Sequence, residues 1–278
     1  MAIILDGKKL RDKILDDLAL KIEKLTKKPK LVVILVGNNP ASEVYVNNKK
    51  KIAQKIGIDS EILQYATNVK EEVLLGKIEE LNNDSTVNAI LVQLPLPNHI
   101  NKERVIEKIS PNKDVDGFTS YNAGKLYIGQ KPIVYPCTPK GILLLLDEYG
   151  IELDGKHAVV IGRSNIVGRP VAQMLLNRNA TVTMCHSHTK DLQKITKNAD
   201  IIISAVGKNI LTGDMIKDNC VIVDVGIFKD ENGKLSGDVD FESCSINASY
   251  ISPVPGGVGP MTIASLMSNT LELYLLQK

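Results

Sequence analysis

Tyr45 and Lys49 stand four residues apart in the segment ASEVYVNNKKKIAQKIG, a spacing that puts both on one helical face with Ile52 and Ile56. A lysine on an otherwise apolar stripe is unusual. The plainer alternative is that Lys49, with Lys50 and Lys51, belongs to a solvated basic face. Further on, VQLPLPNHI ends an apolar run with Gln93 before prolines. That places an amide at the carboxyl edge of a parallel sheet, where open α/β sheets bind ligands. KDVDGF contributes Asp114 and Asp116, either as an Asp-Gly turn or as a carboxylate gripping a donor-rich ligand.

A second set lies in VVIGRSNIVGRP, where an apolar run delivers Gly162, then Arg163 and Ser164, then Gly168 at the start of a helical pattern. Such a turn can aim backbone amides and the positive end of a helix at a pyrophosphate. The pattern is GxSxxxG instead of GxGxxG, and an ordinary strand-to-helix turn is the bland alternative. Serine is nearly as small as glycine and brings a hydroxyl. A NAD site usually places an acid about 20 residues further on to hold the ribose 2′-hydroxyl. Here TVTMCHSHTK offers Cys185, His186, Ser187 and His188 and no carboxylate, while Arg163 sits inside the turn. A 2′-phosphate is repelled by an acid and attracted by Arg and Ser, so NADP is expected over NAD. No metal is expected at His186 and His188, because on a strand Cys185 would point to the other face and no further ligand completes a tetrahedral set.

These groups need elements to position them. Leu10, Ile14, Leu18, Ile22 and Leu25 form one stripe of a first helix, and KLVVILVG follows as a strand buried on both faces. Alternation continues with a helix around Lys49, a strand at SEILQYA, a helix at KEEVLLGKIEELNN and a strand at NAILVQL. Periodicity fails from Ser110 to Cys137, marking a domain junction. A helix is expected next, with Thr138 as N-cap, Pro139 in its first turn and Gly150 as its stop. A second alternating series follows: HAVVIG, ATVTMC, ADIIISAVG and NCVIVDVG as strands, then SPVPGGVGP and a closing helix from Met261 to Leu276. Strands separated by helices imply parallel sheets with right-handed crossovers, so the fold class is α/β in two domains.

Composition narrows the function classes. The chain has 278 residues, 44% of them hydrophobic, which suits two ordinary domains. Its formal net charge of +2 gives no global field for nucleic acid or an anionic membrane. The four cysteines are dispersed with no CxxC pair, which fits a reducing cytosol. MAIILDGKKLRDKILDD reads as neither signal nor transit peptide, and no apolar run approaches the roughly 20 residues that span a bilayer. A soluble, cytoplasmic protein is expected.

GNNPASEVYVNNKKK, VQLPLP, PNKDVDGF, PCTPKG, GRSNIVGRP and SPVPGGVGPMT occur in the order seen in bifunctional methylenetetrahydrofolate dehydrogenase/methenyltetrahydrofolate cyclohydrolases, and the chain resembles that family over nearly its whole length. The length matches the two-activity form, without room for an added formyltetrahydrofolate synthetase. The resemblance implies an N-terminal folate-binding catalytic domain over residues 1–137, completed by the C-terminal helix 261–278. It implies a Rossmann-like NADP-binding domain over 138–260, an active cleft between the two, and a homodimer. By the same likeness Lys49 matches the catalytic lysine, Tyr45 the tyrosine on the pterin side, and Gln93 the amide that directs the lysine. Asp116 matches the carboxylate that receives the pterin's N–H donors, and Pro255 and Gly256 the loop against which folate lies. Gly162, Arg163 and Ser164 match the phosphate turn, Ser187 the 2′-phosphate contact, and Ile227 a backbone contact near the nicotinamide. The sequence departs from the family pattern at none of these positions.

Two other readings compete. Another NADP oxidoreductase with an N-terminal substrate domain, of the shikimate dehydrogenase type, would also use lysine and aspartate, but does not account for PVPGGVGPMT together with VQLPLP. A noncatalytic NADP-binding or nucleic-acid-binding protein could use KLTKKPK and NNKKK. Nucleic-acid surfaces of that kind carry interleaved aromatics or a positive excess, and this chain has neither.

Overall fold

The computed structural model describes residues 1–229 and 233–278. The chain divides into two compact units, Lys13–Cys137 with Leu266–Lys278, and Met1–Asp12 with Thr138–Ser265. This division differs from the expected domains at their ends, because the first twelve residues and residues 261–265 group with the second half. The cause at the N-terminus is β1 (Ile3–Ile4), which pairs in parallel with a strand of the second half. Two residues are too short for any periodicity to show. After β1 comes α1 (Gly7–Glu23): of the expected stripe Leu10, Leu18 and Ile22 are buried, Ile14 is half-buried and Leu25 lies past the helix end, while Leu15, outside that stripe, is buried as well.

The unit containing Lys13–Cys137 is built on β2 (Lys30–Val36), with β3 (Asp59–Tyr65) and β4 (Ala89–Val92) parallel on either side in the order β3-β2-β4. All six residues from Leu31 to Val36 are buried, as a two-faced strand requires. One face, Val32, Ile34 and Val36, packs with Leu74, Ile78 and Leu81 of α3 (Glu71–Asn83). Each such leucine or isoleucine contributes about 1.5–3 kcal/mol by leaving water. The helix α2 (Pro40–Lys55) precedes β3 and bears Tyr45 and Lys49. Past β4 the chain forms α4 (Lys102–Glu107) and, inside the supposed structureless junction, α5 (Ser120–Tyr127). Eight residues with only Asn122 and Leu126 buried give a stripe too brief to recognise. Next, α6 (Cys137–Glu148) starts one residue before the expected cap. Thr138 therefore lies within the helix, its hydroxyl 3.0 Å from that of Thr262. Gly150 ends this segment in the left-handed region, φ +64.

In the other unit β5 (His157–Ile161), α7 (Gly168–Leu176), β6 (Thr181–Cys185), α8 (Leu192–Thr196), β7 (Ile201–Ser204) and β8 (Val221–Asp224) alternate as expected. A short antiparallel pair, β9 (Phe228–Lys229) and β10 (Leu235–Ser236), then leads to α9 (Phe241–Asn247) and β11 (Tyr250–Ile251). The main sheet is parallel throughout, in the order β1-β11-β8-β7-β5-β6. From β5 the chain winds outward to β6 and then returns to the other side at β7, which makes the β5/β7 boundary the topological switch point. Ile161, Ile202, Ile222 and Ile251 form the core beneath it with Cys185, Cys220 and Cys244. All four cysteines are buried and outside any disulfide, and burial pushes Cys220 and Cys244 up to about 12, so these two behave as small apolar groups. The last helix, α10 (Val258–Leu276), starts three residues earlier than expected, immediately after the PVPGG loop.

Candidate functional site

Lys49 is only 6% exposed, so it does not belong to a solvated basic face, although Lys51 does. Its Nζ donates to Gln93 Oε1 at 3.0 Å and stands 4.6 Å from the centre of the Tyr45 ring. Gln93 cannot turn its amide round without loss, because its Nε2 donates to Leu94 O at 2.7 Å. The oxygen is thereby left facing the lysine. Burial lowers the pKa of Lys49, with the charge of Asp116 and then Cys137 acting in the opposite sense. Burial raises Asp116 in turn, against Lys49 and with the help of Asp114. Tyr45 is pushed up to about 12 by burial, so it remains a neutral phenol at physiological pH. Burial thus presses on both charges, and each of the two groups opposes the neutralisation of the other.

Asp114 and Asp116 have different roles. Asp114 is 1% exposed, and its Oδ2 accepts from Thr119 N at 2.8 Å, Thr119 Oγ1 at 2.8 Å and Asn122 Nδ2 at 3.0 Å. It ties down the turn that presents Asp116. Asn269 of α10 holds the same region, its Nδ2 donating to Val115 O and Tyr135 O at 2.9 Å each. Gly117 is required in that turn: φ is +68, and a β-carbon would stand 2.9 Å from Val134 O.

At the phosphate turn, Gly162 has φ +117 and a β-carbon on it would lie 2.4 Å from Ala205 O. A β-carbon on Gly168 would meet Gly162 O at 2.2 Å. Both glycines are thus demanded by backbone packing at the switch point. Ser164 takes up part of the capping that α7 needs: its Oγ accepts from Val167 N at 3.2 Å and Gly168 N at 3.3 Å. Arg163, Ser164 and Ser187 are exposed. β6 ends at Cys185, so His186 and His188 lie in a turn, and the argument from alternating strand faces does not apply to them. The turn instead brings their rings to 5.9 Å, with His188 N donating to His186 Nδ1 at 3.2 Å. Burial, and then the charges of Arg163 and His188, lower the pKa of His186. Among the described residues no group of three or more His, Cys, Asp or Glu could hold a metal.

Pro255 and Gly256 line a cavity of about 130 Å³ together with Ile227, Leu235 and Asp224. Such a volume is close to that of a cavity known to admit one benzene ring. Two position-specific requirements here escaped the sequence reading. Gly7 lies so close to the loop that a β-carbon would stand 1.8 Å from Gly257 O, and Lys8 N donates to Gly256 O at 3.0 Å. The Asp-Gly pair in LDGKKL was the available signal. Asp224 and Asp238, both buried, were also passed over; the signal for Asp224 was a single aspartate in the apolar run CVIVDVG, and Asp238, in LSGDVD, offered none.

Comparison with known proteins agrees with this geometry. Residues 5–116 match the family model for the tetrahydrofolate dehydrogenase/cyclohydrolase catalytic domain, and residues 136–278 match that for its NAD(P)-binding domain. A bifunctional protein FolD of Mesoplasma florum is 54% identical over 278 residues, 98% of this chain and 97% of that protein. The crystal structure of the bifunctional methylenetetrahydrofolate dehydrogenase/cyclohydrolase FolD of Campylobacter jejuni, 50% identical, superposes with a TM-score of 0.99 over all of both chains. The Trypanosoma brucei enzyme, solved with NADP and an inhibitor, is 36% identical with a TM-score of 0.94, covering 99% of this chain and 98% of that one. A shikimate 5-dehydrogenase of Thermus thermophilus, 14% identical at a TM-score of 0.53 over 87% of this chain and 98% of that one, shares the fold alone. With family models matching both halves and a relative 54% identical over nearly all of both chains, the chain belongs to the tetrahydrofolate dehydrogenase/cyclohydrolase family.

Proposed function

We propose that the chain oxidises 5,10-methylenetetrahydrofolate with NADP and hydrolyses the resulting 5,10-methenyl cation to 10-formyltetrahydrofolate, with the residues named above in the roles the resemblance implies. The observation that carries the proton-transfer step is Lys49, buried, hydrogen-bonded to Gln93 at 3.0 Å and lowered in pKa. Residues 1–137 with 261–278 serve as the folate domain in this reading, and 138–260 as the cofactor domain.

NADP, when bound, accepts the hydride that leaves the methylene carbon. The cradle suits its pyrophosphate, since Gly162 and Gly168 leave the turn without side chains where the backbone closes, and α7 starts there. Arg163 and Ser187 would hold the 2′-phosphate, and the backbone at Ile227 the nicotinamide side. Asp116 would accept the pterin's N–H groups, a carboxylate being an acceptor only, and Pro255 and Gly256 would carry the folate. Hydride loss is assisted by a folate nitrogen lone pair, so this step needs alignment more than a base. In the second step a water oxygen bonds to the cationic carbon and gives a proton to Lys49, whose direction Gln93 fixes; the C–N5 bond then breaks as the C=O forms, N5 takes the proton back from Lys49, and the remaining hydroxyl proton leaves to solvent.

An optical time course with methylenetetrahydrofolate and NADP tests both steps. NADPH should appear with little methenyl accumulation. Accumulating methenyl would remove Lys49 from its role, and absence of NADPH from folded protein would sink the dehydrogenase reading. We assign a cytoplasmic homodimer as well; sedimentation at a monomer mass would reject the dimer.

A further inference from the structure

Two buried aspartates interlock behind the cofactor half of the site. Asp238 is fully buried: its Oδ2 accepts from Ser204 Oγ at 2.9 Å and Val206 N at 2.7 Å, and its Oδ1 from Lys208 N at 2.9 Å. Asp224, 3% exposed, accepts through Oδ1 from Gly226 N at 3.0 Å and Asp238 N at 2.9 Å, and through Oδ2 from Val239 N at 3.0 Å. Each carboxylate occupies space that only a glycine on the other's segment leaves open. A β-carbon on Gly226 would stand 1.9 Å from Asp238 Oδ1, and one on Gly237 would stand 2.0 Å from Asp224 Oδ2.

The segments so joined are the loops at the carboxyl ends of β7 and β8. Val206 follows Ala205, whose carbonyl packs against Gly162 of the phosphate turn. Ile227 follows Gly226 and lines the ring-sized cavity with Asp224 itself. A salt bridge or an apolar plug would not do the same work, because six donors, five of them backbone N–H groups, converge on the two carboxylates. Burying two carboxylates together is costly unless every acceptor site is used.

We propose that Asp238 and Asp224 are positioning residues for hydride transfer, holding the two loops in the register that sets the nicotinamide end of the cofactor against the phosphate end. This rests on the NADP reading above. It predicts a split between the two activities, because hydrolysis of supplied methenyltetrahydrofolate requires no cofactor.

The test is Asp238→Asn, which keeps the shape but turns an NH₂ towards groups that donate. Wild-type protein is assayed first for both activities; loss of NADPH formation there would reject the NADP reading itself. In the variant, dehydrogenase kcat should fall at least tenfold and the KM for NADP should rise, while cyclohydrolase turnover of supplied methenyltetrahydrofolate stays within twofold. Parallel loss of both activities, or a dehydrogenase within twofold of wild type, would overturn the proposal. If Asp238→Asn does not fold, Ser204→Ala decides: it removes one of Asp238's three donors and should raise the KM for NADP at least threefold with cyclohydrolase unchanged. An unchanged KM would equally overturn it.

Discussion

Lys49 is under two opposed pressures, the cost of holding a charge away from water and the attraction of Asp116 and the Tyr45 ring for that charge. Burial prevails, so the native pKa lies below the ordinary 10.5. Below the native value both folded and unfolded chains carry the proton, and the native state bears the full cost. Stability then rises with pH between the native value and 10.5, above which the cost is gone. Lys49→Met should flatten that rise, measured as urea midpoints across alkaline pH. The same substitution should reduce cyclohydrolase turnover by about 10²–10⁴, the usual worth of a positioned proton carrier, and leave the dehydrogenase largely intact. Cyclohydrolase activity at wild-type level would reject the role of Lys49. The lysine's spacing from Tyr45 was legible in the sequence. Its burial was not, because a KKK run reads identically whether its first member faces a strand or water.

At the scale of elements, the turn from β5 into α7 closes because two glycines let strand, loop and helix approach closely. Gly168→Ala would place a methyl group 2.2 Å from Gly162 O, and relieving that overlap should cost about 1–3 kcal/mol. The KM for NADP should rise roughly tenfold or more, since about 1.4 kcal/mol is a factor of ten. Hydrolysis of supplied methenyltetrahydrofolate should be spared. Equal damage to both activities would mean that Gly168 serves general folding and not the turn. Strands β2 and β5 were readable as apolar runs because parallel strands bury both faces. The limits of α6 and α10 were less readable, since Thr138 suggested a cap that the helix passes through and the closing helix starts within the glycine-rich loop.

Across the whole molecule, a ligand that binds only the folded chain stabilises it. NADP at a hundredfold excess over its dissociation constant should contribute about 2.7 kcal/mol. For a chain of this size that corresponds to a rise in Tm of roughly 5–10 °C. NAD at the same concentration should give a smaller shift, because Arg163 and Ser187 would have no 2′-phosphate to hold. Equal shifts would remove the assigned preference. Among the described residues no helix is long and apolar enough to cross a membrane.

The order of apolar runs, turn residues and motifs sufficed to specify an α/β chain of two halves, the glycine-bounded turn from β5 into α7 and the Tyr45–Lys49 spacing, because those features are written in periods of a few residues. Tertiary structure alone decided that Ile3–Ile4 joins the sheet of the second half, that Gly7 supports the PVPGG loop, and that Asp224 and Asp238 clasp each other across glycines. Each of these depends on atoms that meet across long separations in the chain. No local period records such meetings, and only the packed backbone determines which glycine lacks room for a β-carbon and which carboxylate finds its donors.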